Sequence, residues 1–205
     1  MLNVALTKGR LEEDTMELLK NRGYGIEEWE SKGRQLILQD RKKNVRYFLV
    51  KSADCLTYVE HGVADVGVVG SDVMEEYGGD YYDMLDMDIG ICKFVVAMPK
   101  GKEANYESGH LKIGTKYPNV ATKFFKGKGF DVEIVKIEGS VELGPILGLC
   151  DAIVDITETG TTLKENGLTI VDEVFDINAK LIVNKASFRI KREQVMAFID
   201  DLKGE

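Results

Sequence analysis

The chain has 205 residues, of which 44% are hydrophobic and 30% are charged, and its formal net charge is −8. This length suffices for one large domain or two small lobes, and the composition is ordinary for a globular protein. The acidic balance argues against a nucleic-acid partner, which normally requires a basic face. No apolar run approaches the roughly 20 residues of a membrane span, and no signal-peptide pattern opens the chain. We therefore expect a cytoplasmic protein without a membrane partner.

In the first half of the chain, short apolar runs alternate with helical patterns. We predict strands at residues 3–6, 35–38, 46–50 and 65–69, and helices at 12–21 and 55–61. A strand at 92–98 then leads into a polar, glycine-bearing segment at 100–110, which is typical of a loop.

A second alternating set follows, with strands at 111–114, 132–137, 152–156 and 180–183 and helices at 119–126, 141–149 and 192–202. Strands that alternate with helices predict an α/β fold with parallel sheets and ligands at the carboxyl ends of the strands. Because the two sets separate near residue 95, we expect two lobes with a cleft between them.

The cysteines and histidines exclude several kinds of site. Cys55, Cys92 and Cys150 are widely spaced among apolar residues. This spacing is typical neither of a disulfide framework nor of a zinc site. His61 and His110 have no metal-ligand partner at helical spacing. A hydrolase with a catalytic Ser–His–Asp or Cys–His set is therefore disfavoured, and we predict no metal site formed by the chain alone.

The stretch DAIVDITETGTTL at 151–163 joins an apolar strand to a cluster of hydroxyl groups, before Leu163 opens a short helical segment. Main-chain N–H groups at a helix start, close approach at a glycine and hydroxyl donors together form an anion cradle. Asp155 and Glu158 would repel a bare phosphate but would accept hydrogen bonds from sugar hydroxyls, which favours a phosphorylated ribose. The alternative is that these residues only cap a helix. The cradle consists of Thr157, Thr159, Gly160, Thr161 and Thr162.

A second candidate site contains basic residues at strand ends. Lys8, Gly9 and Arg10 directly follow the first strand, in a turn that suits pyrophosphate or triphosphate oxygens. Lys51 follows the strand that ends at Val50, and strand ends are where open α/β sheets place ligand groups. Arg34 precedes another strand. The alternative is a set of solvated charges that point to water.

Residues 155–162 have the order Asp, three residues, Thr, Gly, any residue, Thr, which resembles the loop by which phosphoribosyltransferases hold 5-phosphoribosyl-1-pyrophosphate (PRPP). Three longer segments resemble the short form of the ATP phosphoribosyltransferases, which open histidine biosynthesis. They are TKGRL at 7–11, YVEHGVADVGVVGSDV at 58–73 and ELGPILGLCDAIVDITETGTTL at 142–163. The chain departs from the family pattern at two places. Cys150 occupies a position that usually holds a smaller residue, and Lys51 and Ser52 stand where arginine and proline are common.

The resemblance implies a two-lobed fold like that of periplasmic binding proteins. Lobe I would comprise residues 1–94 and 175–205, and lobe II, residues 95–174, would carry the PRPP loop. The implied reaction transfers the 5-phosphoribosyl group from PRPP to N1 of ATP and releases pyrophosphate.

The resemblance also implies roles for individual residues. Asp155 and Glu158 would support the positive charge that develops on the ribose, while Lys8 and Arg10 would neutralise the leaving pyrophosphate together with the Mg²⁺ that it carries. The residues expected to bind ATP are Gly9, Arg10, Arg34 and Lys51. Glu138 and Glu142 are further candidates near the loop, and no general base stands out.

Long members of the family carry an additional regulatory domain, whereas 205 residues match the short form. We therefore expect a homodimer alone and a hetero-oligomer with a histidyl-tRNA-synthetase-like regulatory subunit. Two other classes remain open. A noncatalytic two-lobed binder of a small anion would share the strand-end turns, and a phosphoribosyltransferase acting on a free base would share the loop at 155–162.

Overall fold

The computed structural model describes residues 1–25, 27–103, 106 and 110–204. Five residues of the predicted loop at 100–110, namely 104, 105 and 107–109, lie outside the described residues. The chain divides into two compact units, unit 1 (Met1–Gly90 with Asn178–Glu205) and unit 2 (Ile91–Ile177). No helix within the described ranges combines the length and the apolar character that a membrane crossing requires.

The elements follow one another along the chain. The first segment of unit 1 contains β1 (Leu2–Thr7), α1 (Arg10–Asn21), α2 (Glu27–Glu30), β2 (Ile37–Asp40), β3 (Val45–Val50), α3 (Ser52–Glu60), β4 (Val66–Gly70), α4 (Ser71–Tyr77) and the start of β5 (Tyr82–Pro99). Unit 2 continues with β6 (His110–Thr115), α5 (Pro118–Gly127), β7 (Asp131–Lys136), α6 (Leu143–Ile146), β8 (Ala152–Thr157), α7 (Thr161–Glu165) and the start of β9 (Leu168–Val183). The chain then returns to unit 1 with the end of β9, α8 (Lys185–Ile190) and α9 (Arg192–Lys203).

In unit 1 the strand order is β2-β3-β1-β4-β9. β1 is parallel to both β3 and β4, whereas β2 is antiparallel to β3 and β9 is antiparallel to β4. The interior strands are buried along most of their length, as expected for parallel strands covered by helices. The helix predicted at 192–202 is present as α9, and its Val195, Phe198, Ile199 and Leu202 join the core of this unit.

In unit 2 the strand order is β5-β8-β6-β7. β6 is parallel to β7 and β8, and β5 is antiparallel to β8. The core contains Phe94 of β5, Ile113 of β6, Phe125 of α5 and Val154 of β8. The carboxyl ends of β6, β7 and β8 therefore lie at one edge of this sheet.

The predicted strands and helices are present, with three differences. The sheets are mixed rather than wholly parallel, because β2, β5 and β9 run antiparallel to their neighbours β3, β8 and β4. The strands β5 and β9 are also much longer than predicted, because exposed acidic residues such as Asp86 and Glu173 interrupt the apolar pattern by which a strand is recognised in the sequence. The helix predicted at 141–149 is wrong in extent, because α6 contains Pro145 and is followed by Gly148 in a left-handed conformation with φ of 76°.

Candidate active site

The end of β8 brings Asp155 to the edge of the sheet in unit 2. Ala152, Ile153 and Val154 are buried, whereas the next three residues of the strand are only partly buried. In the antiparallel pair with β5, Asp155 lies opposite Val95. The apolar start of the strand thus anchors it in the core, and the carboxylate stands where the strand emerges.

The loop after β8 folds back on itself through its own polar groups. The main-chain N–H of Gly160 donates a hydrogen bond of 2.8 Å to the hydroxyl oxygen of Thr157. Gly160 has φ of 72°, a left-handed conformation that favours glycine, and its carbonyl accepts a hydrogen bond from the N–H of Lys164. The hydroxyl oxygens of Thr159 and Thr161 lie 2.8 Å apart. The predicted order of strand, hydroxyl-rich loop and short helix is therefore confirmed, with α7 beginning at Thr161 rather than at Leu163.

This loop borders a surface depression of about 520 Å³. Threonine hydroxyls and the main chain at Gly160 form one side, and the side chains of Lys164 and Glu165 complete it. Thr159, Thr161 and Thr162 are exposed, as is Glu158 at the start of the loop. Hydroxyl donors, a lysine and a glycine can together hold a phosphate group.

Asp155 has an unusual electrostatic environment. The pKa of its carboxyl group is raised from 3.8 to about 6, chiefly by burial and to a smaller extent by the carboxylate of Glu142. A hydrogen bond from the main-chain N–H of Ile156 and the positive charge of Lys116 oppose that rise in pKa. A carboxyl group that titrates close to neutral pH at a strand end is a typical property of a functional residue.

Sequence reasoning did not single out Lys116, whose positive charge acts on Asp155. The register between β6 and β8 pairs Thr115 with Val154, so that Lys116 and Asp155 come next on adjacent parallel strands. The strand-end rule that selected Lys8 and Lys51 would also have selected Lys116, which follows the strand predicted at 111–114.

The basic turn of unit 1 follows β1. Gly9 has φ of 101° and caps α1, where its carbonyl accepts hydrogen bonds from the N–H groups of Glu12 and Glu13. The N–H of Lys8 donates a 2.8 Å hydrogen bond to the carbonyl of Val50 at the end of β3. Lys8, Gly9, Arg10 and Lys51 are all exposed and lie at the same edge of the sheet, since Thr7 pairs with Val50.

Arg34 joins this edge because β2 is antiparallel to β3. Ile37 pairs with Phe48, and the N–H of Leu49 donates to the carbonyl of Leu36, so the residues before β2 extend past the carboxyl end of β3. Arg34 is exposed in the turn there. The structure thus groups the predicted ATP residues at one sheet edge of unit 1 and the predicted PRPP loop at one sheet edge of unit 2.

Cys150 packs tightly just before β8. Burial raises the pKa of its thiol, and its Sγ lies 2.8 Å and 2.6 Å from the positions where a Cβ would stand on Gly114 and Gly144. The glycines leave the space that the sulfur fills. No group of three or more His, Cys, Asp and Glu side chains suited to a metal ion occurs in the part of the chain that the structure describes.

The chain is similar to proteins of one family along its whole length. The family model described as HisG, ATP phosphoribosyltransferase, matches residues 51–204. The ATP phosphoribosyltransferase of Clostridium acetobutylicum is 51% identical over 202 residues, which cover 98% of this chain and 94% of the relative. That of Listeria welshimeri is 52% identical over 203 residues, with the same two coverages.

Two solved structures are similar in fold. The ATP phosphoribosyl transferase (HisG:HisZ) complex from Thermotoga maritima contains a chain 41% identical to this one, with a TM-score of 0.85, and the match covers 100% of this chain and 98% of the other. The Bordetella pertussis BvgS VFT2 domain is 10% identical with a TM-score of 0.60, covering 98% and 85% of the two chains. The second similarity shows the fold alone. Together they confirm the predicted two-lobed α/β fold of the periplasmic-binding-protein type.

Proposed function

The chain belongs to the ATP phosphoribosyltransferase family, and from that premise we propose how its residues carry out the first reaction of histidine biosynthesis. The reaction joins N1 of the adenine of ATP to C1 of the ribose of PRPP, and the bond from C1 to the pyrophosphate oxygen breaks. One observation carries the assignment of roles, namely the partly buried Asp155 directly before a loop of threonine hydroxyls closed at Gly160.

Asp155 supports the reacting sugar in this proposal. Departure of pyrophosphate builds positive charge on the ribose ring, and a nearby carboxylate stabilises that charge. Asp155 is mostly ionised above about pH 6, in keeping with its raised pKa. Glu158, exposed at the start of the loop, is the second acceptor for the ribose hydroxyls.

The 5-phosphate of PRPP binds in the loop itself. Thr157, Thr159, Gly160, Thr161 and Thr162 supply hydroxyl and main-chain groups, and three of them, Thr159, Gly160 and Thr161, line the depression. Because these donors carry no charge, they can stand beside Asp155 and Glu158 without forming ion pairs with them. The short bond between Thr157 and Gly160 holds the loop in shape before the ligand arrives.

The cations at the sheet edge of unit 1 serve the other phosphates. We assign Lys8 and Arg10 to the leaving pyrophosphate, and Gly9, Arg10, Arg34 and Lys51 to ATP. Their exposure at one sheet edge supports this assignment. Lys51 supplies a single ammonium charge where an arginine would supply a planar fork, so it can bind one phosphate oxygen but not two in parallel. N1 attacks directly, and no covalent nucleophile of the protein is needed.

A divalent metal ion is generally needed for phosphoribosyl transfer from PRPP, and we propose Mg²⁺ bound through the pyrophosphate of the substrate. Mg²⁺ usually keeps several waters and takes one or two carboxylates in addition to phosphate oxygens. Asp155 and Glu158 fit that requirement, since each offers a carboxylate at the PRPP loop. When bound, the ion would offset the charge of the leaving group.

A regulatory subunit is the proposed partner. The related Thermotoga maritima protein was solved as a HisG:HisZ complex, and we propose that this chain binds a HisZ-type, histidyl-tRNA-synthetase-like subunit and forms a homodimer without it. Light scattering of the chain alone and of its mixture with that subunit tests both states. Full activity and histidine inhibition of the chain alone would contradict the partner proposal.

The central experiment mixes PRPP and Mg²⁺ with ATP, adenine or orotate, with and without the partner subunit, and follows the N1-linked product by its ultraviolet absorbance. We expect product only with ATP. Product with a free base would indicate a different phosphoribosyltransferase, and binding without turnover would indicate an anion-binding protein. Asp155→Asn should abolish turnover, whereas Asp131→Asn, at an exposed carboxylate of the same unit, should not.

A further inference from the structure

The sheets of the two units are built on the same plan around a central strand. In unit 1, β1 lies between its parallel neighbours β3 and β4, and the antiparallel β9 follows on the far side of β4. In unit 2, β6 lies between its parallel neighbours β7 and β8, and the antiparallel β5 follows on the far side of β8. β1 and β6 are therefore corresponding strands, and so are β4 and β8.

Each of these two central strands ends in a buried threonine whose hydroxyl group reaches the corresponding neighbour. Thr7, the last residue of β1, is 6% exposed and donates a hydrogen bond of 2.9 Å to the carbonyl of Val68 in β4. Thr115, the last residue of β6, is fully buried and donates one of 2.7 Å to the carbonyl of Val154 in β8. The same contact thus recurs at the carboxyl ends of the two central strands.

Thr115 fixes the end of β8, from which the PRPP loop begins. Val154, whose carbonyl accepts the hydrogen bond of Thr115, is the residue directly before Asp155. The hydroxyl oxygen of Thr115 also accepts a hydrogen bond of 2.9 Å from the N–H of Tyr117. The carbonyl of Thr115 accepts another of 2.9 Å from the N–H of Ile137. Thr115 thereby connects the end of β8 with the residues that follow β6 and β7.

Thr7 has the same part in the basic turn after β1. It directly precedes Lys8, whose N–H donates a 2.8 Å hydrogen bond to the carbonyl of Val50 at the end of β3. The turn is therefore tied to β3 through this N–H and to β4 through the hydroxyl of Thr7. The sulfur of the buried Cys55 lies 3.6 Å from the same carbonyl oxygen of Val68, so a second, weaker donor supports that contact.

We propose that Thr7 and Thr115 are positioning residues, one for each phosphate-binding edge of the enzyme. Thr115 holds the end of β8 so that Asp155 and the loop meet the ribose 5-phosphate part of PRPP, and Thr7 holds the turn at 8–10 so that its cations meet the pyrophosphate. Both threonines act through the backbone and not on the substrate, because both are buried. The proposal rests on the proposed function, which assigns the loop and the turn to these two phosphates.

A small displacement of a strand end is enough to weaken such a site. A phosphate group is held by several donors that must all lie at hydrogen-bond distance, and the supporting residues keep binding groups within about 0.5 Å of that geometry. Loss of the threonine hydroxyl takes a donor away from a buried carbonyl, so the strand end loses a contact that fixes it. Each threonine should therefore affect the phosphate bound at its own edge much more than the phosphate bound at the other.

Valine and serine variants separate the hydroxyl from the shape of the side chain. Thr7→Val and Thr115→Val replace the hydroxyl with a methyl group, and Thr115→Val also removes the acceptor of the Tyr117 N–H. Thr7→Ser and Thr115→Ser keep the hydroxyl. Thr15→Val is the matched control, because Thr15 is a buried threonine whose hydroxyl donates to the carbonyl of Leu11 within α1 rather than between strands.

The experiment measures by calorimetry how the full chain binds ribose 5-phosphate and, separately, pyrophosphate with Mg²⁺. Thr115→Val should bind ribose 5-phosphate roughly fivefold to tenfold more weakly and pyrophosphate within about twofold of the unchanged chain. Thr7→Val should show the reverse, with a loss of roughly threefold to fivefold for pyrophosphate, since Cys55 still supports the carbonyl of Val68. The two serine variants and Thr15→Val should bind both probes nearly as well as the unchanged chain.

Two outcomes overturn the proposal. Parallel losses of both probes in either valine variant would indicate a general weakening of the fold, and unchanged binding of both probes would show that the hydroxyls position nothing. If a valine variant melts below the assay temperature, Thr7→Cys or Thr115→Cys takes its place. Cysteine keeps a weak S–H donor, so a smaller loss for the same probe is then expected.

Variants of the site itself separate this proposal from the proposed function. Thr159→Ala combined with Thr162→Ala should weaken binding of ribose 5-phosphate, and Lys8→Met should weaken binding of pyrophosphate. If they do so and the valine variants do not, the positioning proposal alone is overturned. If they change neither affinity, or if the unchanged chain binds neither probe, the assignment of the two phosphates is wrong and the positioning proposal fails with it.

Discussion

The N–H of Gly160 donates to the hydroxyl oxygen of Thr157 over 2.8 Å, so the loop after β8 is closed by a bond within itself. This contact shapes the loop without occupying the exposed hydroxyls of the neighbouring threonines. A loop that is formed before its ligand arrives pays less conformational entropy on binding. Thr157 should therefore affect PRPP affinity even where it does not touch the phosphate.

Thr157→Val removes the acceptor of that bond and keeps the shape of the side chain. A net hydrogen bond is worth about 1 kcal/mol, so we expect PRPP to bind roughly fivefold more weakly, as measured by calorimetry. Thr157→Ser retains the hydroxyl and should bind nearly as well as the unchanged chain. Equal affinity of the valine and serine variants would mean that the bond does not prepare the loop.

The exposed hydroxyls of the loop are tested by combining Thr159→Ala with Thr162→Ala. Each substitution removes one phosphate donor at the surface, so PRPP affinity should fall by at least about tenfold while the melting temperature changes little. Thr169→Ala, in β9 of the same unit, is the control. A folded double variant with unchanged affinity would contradict the phosphate cradle.

Because of Asp155, we expect activity to rise with pH, whereas the contribution of this residue to stability should fall with pH. Because its pKa in the folded chain is raised to about 6, kcat/KM for PRPP should fall as the pH drops through that value. For stability, a carboxyl group with a raised folded pKa favours the fold below its ordinary pKa of 3.8, and that contribution is lost as the pH rises through about 6.

Asp155→Asn should therefore melt at a higher temperature than the unchanged chain at about pH 7 and lose that advantage near pH 4, while turnover is abolished. Calorimetric melts at the two pH values check the first part, and the product assay checks the second. If Asp155→Asn instead melts at a lower temperature than the unchanged chain at neutral pH, the prediction is wrong. The favourable contacts of the ionised carboxylate would then outweigh the cost of burying it.

Much of the fold could be predicted from the sequence because most interior strands are continuous apolar runs. Residues 152–154 and 47–50 are of this kind, and both strands are present. The long strands β5 and β9 could not be predicted in full, since their partly buried stretches carry exposed acids such as Asp86 and Glu173. Their antiparallel pairing depends on contacts distant in sequence, which no local pattern contains.

Only the local part of the candidate site could be predicted from the sequence, for a similar reason. The loop after Asp155 is local, so its glycine and threonines are visible as a motif. The placement of Lys116 next to Asp155 on adjacent strands depends on the register of β6 with β8, and the raised Asp155 pKa depends on burial and on Glu142. Such relationships arise from tertiary packing, and composition or spacing alone does not reveal them.

Cys150 and Gly144 should be energetically coupled. A Cβ on Gly144 would lie 2.6 Å from the Cys150 sulfur, a contact too close for a folded core. Gly144→Ala should cost about 1–3 kcal/mol of unfolding free energy, the usual penalty of overpacking. Cys150→Ala removes the sulfur, so Gly144→Ala should cost much less in that background. Urea melts of the unchanged chain, the two single variants and the double variant measure the coupling. If the changes in unfolding free energy simply add, the packing contact is contradicted.

Glu12 connects the basic turn of unit 1 to the segment that carries Arg34. Its nearly buried carboxylate accepts a 2.7 Å hydrogen bond from the indole N–H of Trp29 and forms an ion pair with Lys32. Glu12 lies in the first turn of α1, two residues after Arg10. Since Trp29 is the single tryptophan of the chain, its fluorescence should report ATP binding at this edge as a saturable change.

Glu12→Ala leaves the indole N–H of Trp29 and the Lys32 ammonium without their acceptor. Because these groups are partly buried, the unfolding free energy should fall by roughly 1–3 kcal/mol. We expect red-shifted tryptophan emission and a several-fold higher KM for ATP, with a smaller effect on PRPP affinity because the loop assigned to the 5-phosphate of PRPP belongs to unit 2. Glu13→Ala, at the exposed neighbouring position, is the control for both readouts. If Glu12→Ala weakens PRPP and ATP equally, the ion pair supports the fold of unit 1 in general and does not position Arg34.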